Sequence, residues 1–136
     1  YSAGNINGRT KSIEFVDSFG KDIKLNGSWE LLVAQFLNFK NIKWKRVEQG
    51  IEYDWEGKQH LYFPDFYLVD EDKYIEVKGF VRERDKAKWQ NFKSLIILKK
   101  EEINTIKSYV SWCNGNTMGS LPLIHSSNLW LASKLN

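Results

Sequence analysis

Two neighbouring stretches decide the fold of this chain: YFPDFYL at residues 62–68 and KYIEVKG at residues 73–79. Both are rich in aromatic and β-branched residues, and the mostly acidic segment VDED lies between them, which predicts two strands joined by a turn. Alternate side chains of a strand point to the same face. The second strand therefore places Glu76 and Lys78 side by side on one face, while its apolar residues point into a core.

A second carboxylate makes this strand pair informative. Asp65 follows Pro64 on the first strand, whereas Glu76 and Lys78 lie on the second. An acidic residue two positions before a lysine is by itself common on the solvated face of a half-buried sheet. Two carboxylates and a lysine on adjacent strands look like a metal-dependent nuclease site.

The rest of the chain predicts an α/β domain. An N-terminal hairpin is expected, with strands over 13–17 and 22–25. Ser28 is the expected N-cap of a helix over 29–39, because apolar residues recur there at helical spacing. Three strands follow: 42–46 or 51–55, then 60–68 after a turn at 56–58, then 74–78.

The second half of the domain continues with a charged helix over 82–92, a buried strand over 94–98 and a helix over 100–110. The core order is thus helix, three strands, helix, strand. We expect a central mixed β-sheet flanked by helices, with one domain over 12–110 between a basic arm at 1–11 and a tail at 111–136.

Composition limits the class of protein. With 136 residues the chain is long enough for one core, and 42% hydrophobic and 15% aromatic content predict a packed domain. The net charge of +3 is too small to indicate nucleic-acid binding by itself. The single Cys113 excludes an internal disulfide, and two distant histidines leave no zinc ligand set. No stretch reaches the length of a membrane span, so a cytoplasmic protein is expected. Because the first residue is Tyr1, the chain is expected to be a fragment or a processed product.

Pro64-Asp65 and Glu76-Val77-Lys78 resemble the motif of the PD-(D/E)xK nuclease superfamily. With Gly27-Ser28-Trp29-Glu30 upstream, the order is similar to small endonucleases encoded by phages and mobile introns, over roughly residues 9–100. The resemblance implies a restriction-endonuclease-like fold and a Mg²⁺-dependent, site-directed DNA endonuclease of homing or mobile-element type. A repair, junction-resolving or DNA-end-processing nuclease is the first alternative, and a non-catalytic DNA-binding protein is the second.

Each proposed site residue has an expected role. Asp65 and Glu76 offer the hard oxygen ligands that Mg²⁺ prefers, with Mn²⁺ as a substitute, and the resemblance adds the backbone carbonyl of Val77. Lys78 is expected to orient the attacking water and offset charge in the transition state. The resemblance gives Glu30 a contact with the metal, directly or through water. An acidic residue in the first turn of a helix is also expected from the helix dipole alone.

Basic residues near the motif are candidates for contact with double-stranded DNA. The charged helix region carries Arg82, Arg84, Lys86, Lys88 and Lys93. Phosphate contacts there would supply affinity without sequence preference. A solvated face, compensated by Glu83 and Asp85, explains the same residues equally well. Arg9 and Lys11 belong to the N-terminal arm, predicted to be flexible and to enter a DNA groove or join an upstream recognition module. A domain this small is expected to reach long-site specificity through that module or as a homo-oligomer.

Other polar residues near the motif are weaker candidates. In a regular strand, His60 and Tyr62 face away from Asp65, so a packing role rather than catalysis is predicted for both, unless a bulge reverses the face. Glu48 and Gln49 are predicted to lie in a solvated loop.

The tail from Ser111 onward loses charge and gains Asn, Gly, Ser and Thr, which predicts a loosely packed loop. Its codons can also spell transfer-RNA sequence: residues 112–117 resemble a D arm and residues 126–128 a T loop. The two loops are separated by the 12 codons from Gly115 to Ser127, or 36 nucleotides. The tail is therefore either translated from a transfer-RNA gene, which would make that locus the target DNA, or a genuine extension. Because every proposed site residue precedes it, truncation after Val110 is expected to leave a folded protein.

Overall fold

The computed structural model of the protein describes residues 11–115 and 123–135. Its elements, in chain order, are β1 (Ser12–Val16), β2 (Asp22–Asn26), α1 (Ser28–Phe39), β3 (Trp44–Lys45), β4 (Ile51–Trp55), β5 (Lys58–Tyr62), β6 (Phe66–Leu68), β7 (Lys73–Val77), α2 (Glu83–Trp89), β8 (Leu95–Leu98), α3 (Lys100–Gly115) and α4 (Leu129–Leu135). Arg9 and almost all of the expected basic arm lie outside the described residues.

A four-stranded mixed sheet forms the centre, in the order β3-β6-β7-β8. β6 pairs antiparallel with β3 and with β7, whereas β7 and β8 are parallel. A parallel pair needs a crossover connection, and α2 lies in it. The predicted mixed α/β class, with its central mixed sheet, is confirmed. β1–β2 and β4–β5 form two separate hairpins.

The strand predicted over 60–68 is wrong, because the chain divides it between two sheets. Its first part, β5, pairs with β4, while β6 begins only at Phe66 and joins the mixed sheet. Pro64 lies at the break, where it has no N–H to donate to a neighbouring strand. Of the two predicted first strands, only the one at Trp44–Lys45 enters the mixed sheet.

Three helix ends also differ from prediction. Gly27, not Ser28, is the N-cap of α1; its φ of 99° favours glycine, and Glu30 accepts a hydrogen bond from the Asn26 N–H at 3.1 Å. α2 ends at Trp89, before Asn91 with a φ of 66°. α3 does not end at Val110 but continues to Gly115.

The core lies between the mixed sheet and helices α1, α3 and α4. Phe36 of α1 meets Tyr109 of α3 edge to face, with ring centroids 5.2 Å apart. Leu131 and Leu135 of α4 are buried in this same core. The loosely packed loop expected from Ser111 onward is therefore wrong for the end of α3 and for α4.

Hydrogen bonds fix α4 to the domain at both ends. Asn128 accepts from the Leu131 N–H at 3.0 Å, which caps the helix, and its side-chain amide donates to the Ile97 carbonyl at 3.3 Å. The Trp130 indole N–H donates to Glu71 at 3.0 Å, and Lys134 pairs with the same carboxylate at 3.1 Å. The helix is thus anchored both to β8 and to the turn between β6 and β7.

Across residues 11–115 and 123–135, none of the helices has both the length and the apolarity needed to cross a membrane.

Candidate active site

The pairing of β6 with β7 brings two carboxylates together. Phe66 lies opposite Ile75 in this antiparallel pair. Continuing the register by one residue places Asp65 opposite Glu76. The two strands are also joined at this point by a hydrogen bond of 2.7 Å from the Val77 N–H to Asp65 Oδ2. Both side chains are buried. The two predicted carboxylates therefore lie next to each other at the edge of the core.

Burial raises the free-energy cost of ionising these two carboxylates. Loss of solvent raises the pKa of Glu76 to about 9, and the negative charge of Asp65 adds to the rise. Two carboxylates this close cannot both ionise easily unless a cation compensates them. In the absence of a cation, Glu76 therefore keeps its proton at neutral pH, and a bound cation would displace it.

Glu30 lies beside the pair and has a partner of its own. Its carboxylate is fully buried and forms an ion pair of 2.8 Å with the Arg46 guanidinium. The same Arg46 nitrogen donates to the Asp65 backbone carbonyl at 2.8 Å. Burial first, and the charge of Asp65 second, raise the pKa of Glu30. Arg46 thus connects the start of α1 to the strand that carries Asp65.

The residues present fit a Mg²⁺ ion held by two carboxylates. Mg²⁺ keeps several waters and is commonly bound through one or two carboxylates plus substrate phosphate. Within the described parts of the chain, no three His, Cys, Asp or Glu side chains form a group able to hold a metal. Asp65 and Glu76 are the two carboxylates that would hold the ion, and Glu30 lies close to Asp65. The Val77 N–H contacts the site by donating to Asp65 Oδ2. Metal binding by the Val77 carbonyl stays a prediction.

Lys78 lies just beyond β7 and is held by Asp85 of α2. Its ammonium is 3.2 Å from Asp85 Oδ1, and Lys88 lies 3.4 Å from the same oxygen. The other oxygen, Oδ2, accepts from the Arg82 N–H at 2.8 Å. Although burial opposes it, these donors hold the pKa of Asp85 below its ordinary value. Asp85 is therefore a buried link between α2 and the site lysine, and the expectation that it only compensates a solvated face is wrong.

Tyr62 packs as predicted, since it is buried and its ring meets that of Phe92 edge to face, and it also lines the cleft. The strand break after Tyr62 removes the regular alternation that would place it on the side opposite Asp65. Its hydroxyl accepts from the Trp89 indole N–H at 3.3 Å, and burial, together with the nearby Glu76, raises the pKa of Tyr62. His60 packs instead against Tyr53, with ring centroids 5.5 Å apart.

These residues line one open cleft of about 320 Å³. Its walls come from the β4–β5 hairpin, the ends of β6 and β7, and α2: Tyr53, Leu61, Tyr62, Phe63, Asp65, Glu76, Lys78, Arg84 and Lys88. The structure thus brings Asp65, Glu76 and Lys78 together as predicted.

The predicted DNA-binding cations divide into two groups. Arg84 and Lys88 line the cleft, and Arg84 donates to the Tyr53 hydroxyl at 2.7 Å. Lys86 instead pairs with Glu83 on the solvent side of α2 at 3.0 Å. Arg82, Lys93 and Lys11 are exposed away from the cleft walls.

The loop residues Glu48 and Gln49 lie outside the cleft, as predicted. Glu48 forms an exposed ion pair with Lys21 at 2.7 Å.

Three residues of the site escaped prediction. Arg46 is 19 positions from Asp65 and has no local signal of its role. The position of Tyr62 in the cleft depends on the strand break that follows it, which the sequence did not predict. Asp85 had a usable signal, because an acidic residue in the first turn of a helix often accepts a hydrogen bond from the N-cap backbone.

Comparisons with protein-family models, with curated proteins and with solved structures find no match to this chain. The geometry of the cleft and the sequence motif are therefore the features that bear on function.

Proposed function

We propose that this protein is a Mg²⁺-dependent DNA endonuclease of the PD-(D/E)xK type, with a restriction-endonuclease-like core. The observation that carries the proposal is the position of Asp65 opposite Glu76 on paired strands, with Lys78 at the end of the second strand in the same cleft. The order α1, three strands of the mixed sheet, α2 and β8 supports the fold assignment.

The charge balance of the cleft suits phosphodiester hydrolysis. The reaction adds negative charge to a group that is already anionic, so a site for it must supply positive charge. Asp65 and Glu76 would hold Mg²⁺, which would polarise the phosphate and lower the pKa of a bound water. Lys78, fixed by Asp85, would orient the attacking water, and Arg84 and Lys88 would hold the strand at neighbouring phosphates.

A purely DNA-binding role fits the cleft less well. Buried carboxylates repel phosphate, and burying an ionisable group carries a large free-energy penalty unless it is compensated. A surface that only binds DNA gains nothing from Asp65 and Glu76 beside its cations. Their position is explained if a metal ion occupies the space between protein and phosphate.

The direct test is a nicking assay on supercoiled plasmid and on labelled linear duplexes. We expect cleavage that requires Mg²⁺ or Mn²⁺ and stops with EDTA. Asp65→Asn and Glu76→Gln should each lower the rate by at least about a thousandfold, because each removes a metal ligand. Lys78→Met should lower the rate by about a hundredfold or more with little change in metal affinity.

Glu14→Gln is the matched control, since Glu14 is an exposed carboxylate on the N-terminal hairpin, outside the cleft. It should cleave like the wild type. Full activity in Asp65→Asn or Glu76→Gln would reject the site, and absence of metal-dependent cleavage on every DNA tested would reject the function.

The choice between a homing-type enzyme and a repair or junction enzyme depends on the substrate. Incubation with the transfer-RNA locus of the source genome, in its insertion-free form, tests the first. Branched and free-ended DNAs test the second.

A further inference from the structure

Two exposed apolar side chains stand beside the buried charges of the cleft. Leu61 is 58% exposed and Phe63 is 49% exposed, and both line the same cleft as Asp65 and Glu76. Single exposed apolar residues are common on protein surfaces and need no explanation. Two of them together on the wall of a charged cleft form a distinct feature, called here the apolar ledge.

Both side chains of the apolar ledge pack closely against Gly50. A Cβ atom built at Gly50 would lie 2.9 Å from Leu61 Cβ and 2.9 Å from Cζ of the Phe63 ring. Both side chains therefore rest directly on the backbone of residue 50, where only a glycine leaves enough space. The ring thus packs against residue 50, while about half of the Phe63 surface stays exposed.

Three cations, Lys78, Arg84 and Lys88, line this cleft together with the carboxylates Asp65 and Glu76. A ligand that combines an anionic group with a flat apolar face would therefore complement both the cations and the apolar ledge. One nucleotide of a DNA strand has both, a phosphate and a base. The cleft of about 320 Å³ has room for one nucleotide.

We infer that the apolar ledge receives an unstacked base next to the scissile phosphate, so that the preferred substrate is DNA with an unpaired nucleotide beside the cut. In a regular duplex each base is stacked on both faces and is not free to contact a protein ring. A bulge or flap already exposes a base, so less free energy is spent on unstacking it. The inference rests on the proposed nuclease function, because a phosphate is scissile only if the protein cleaves DNA.

The test compares two DNAs that are identical except for one unpaired nucleotide, with affinities measured by fluorescence anisotropy in EDTA. Because a base that stacks on an aromatic side chain binds more tightly, wild-type protein should bind the bulged DNA on the order of tenfold more tightly than the perfect duplex. Phe63→Ala should reduce this ratio to below about twofold. Gly50→Ala should also reduce this ratio. The variant keeps the Phe63 ring, but the added methyl group displaces that ring.

Phe19→Ala is the matched control, because Phe19 is 58% exposed in the turn between β1 and β2. It should keep the wild-type ratio. Thermal unfolding of each variant checks that it is folded, and the wild-type ratio alone remains decisive if a variant is not. Equal wild-type affinities for the two DNAs, or an unchanged ratio in folded Phe63→Ala, would overturn the inference.

Two further measurements separate this inference from the proposed function. Mg²⁺-dependent cleavage of both DNAs at equal rates would overturn the ledge and leave the nuclease standing. A tenfold binding preference without any metal-dependent cleavage would support the ledge and reject the nuclease. Sedimentation equilibrium tests another occupant: a wild-type dimer that Phe63→Ala converts to a monomer would assign the ledge to self-association and overturn the inference.

Discussion

The cleft and the C-terminal helix α4 both bury side chains, but with opposite consequences for stability. The cleft buries Asp65 and Glu76 close together, and the rise in the pKa of Glu76 reports the free-energy cost of ionising it there. α4 buries Leu131 and Leu135 in the main core, which stabilises the fold. The difference is between two carboxylates whose burial costs stability, which we propose bind a metal, and two leucines whose burial stabilises the fold.

The largest effect should follow from removing α4. Truncation after Gly115 exposes the core surface that Leu131 and Leu135 cover and removes the contact between Phe36 and Trp130. Each fully buried large side chain contributes about 1.5–3 kcal/mol, so the loss is a large part of a typical stability of about 5–15 kcal/mol. We expect the truncated protein to lose its cooperative thermal transition or to melt far below full length. A truncated protein with an unchanged melting curve would show that α4 is dispensable, as the sequence alone suggested.

Asp85 should give the next largest effect, on the cation side of the cleft. Asp85→Asn keeps the size of the side chain but leaves the buried Lys78 without a negative partner, at a cost of about 3–5 kcal/mol. Glu83→Gln, on the solvent side of the same helix, should change urea unfolding little. Rate measurements on folded protein should also show a lower kcat for Asp85→Asn and an unchanged kcat for Glu83→Gln. Equal behaviour of the two variants would reduce Asp85 to a surface charge.

Within α4, two leucines provide a direct comparison of burial. Leu131 is fully buried, whereas Leu129, two positions earlier, is 87% exposed. Leu131→Ala should lower the free energy of unfolding by about 2–5 kcal/mol, and Leu129→Ala by less than about 0.5 kcal/mol. Chemical denaturation with both variants measures this, and comparable losses would contradict the packing of α4.

The sequence predicts some residues of the cleft and not others, because only some of them lie close together along the chain. Asp65, Glu76 and Lys78 lie on or next to two paired strands joined by a short turn, so local alternation and pairing nearly determine their geometry. Arg46 and Asp85 reach the site from a distant strand and a crossover helix, and only the three-dimensional arrangement brings them there.

α4 was missed for another reason. It has seven residues, too few for a clear helical period, and it follows a polar segment of low charge. Its burial depends on Asn128 as a cap and on contacts with β8 and the β6–β7 turn, which local pattern does not encode. Whether its codons derive from a transfer-RNA gene stays a prediction, and such an origin is compatible with a structural role.

Replacing the ionisable Glu76 should have the smallest effect on stability and the opposite sign. Between the ordinary pKa of 4.5 and about 9, the folded protein keeps a proton that the unfolded chain has lost. The free energy of unfolding of the metal-free wild type therefore falls as pH rises through this window. Glu76→Gln has no such proton, so at pH 8 it should be more stable than wild type by roughly 1–3 kcal/mol, while cleavage is lost. A variant less stable than wild type at pH 8 and equal to it at pH 5 would contradict this sign.

The most direct test of the cleft as a metal site is the thermal unfolding of wild type and Glu76→Gln at pH 8, each with and without Mg²⁺. A ligand that binds only the folded state raises its melting temperature. We expect Mg²⁺ to raise the melting temperature of wild type and to leave Glu76→Gln nearly unchanged, so that the ion closes the gap between them. Equal shifts in both proteins, or a shift in neither at millimolar Mg²⁺, would contradict a metal site at Asp65 and Glu76.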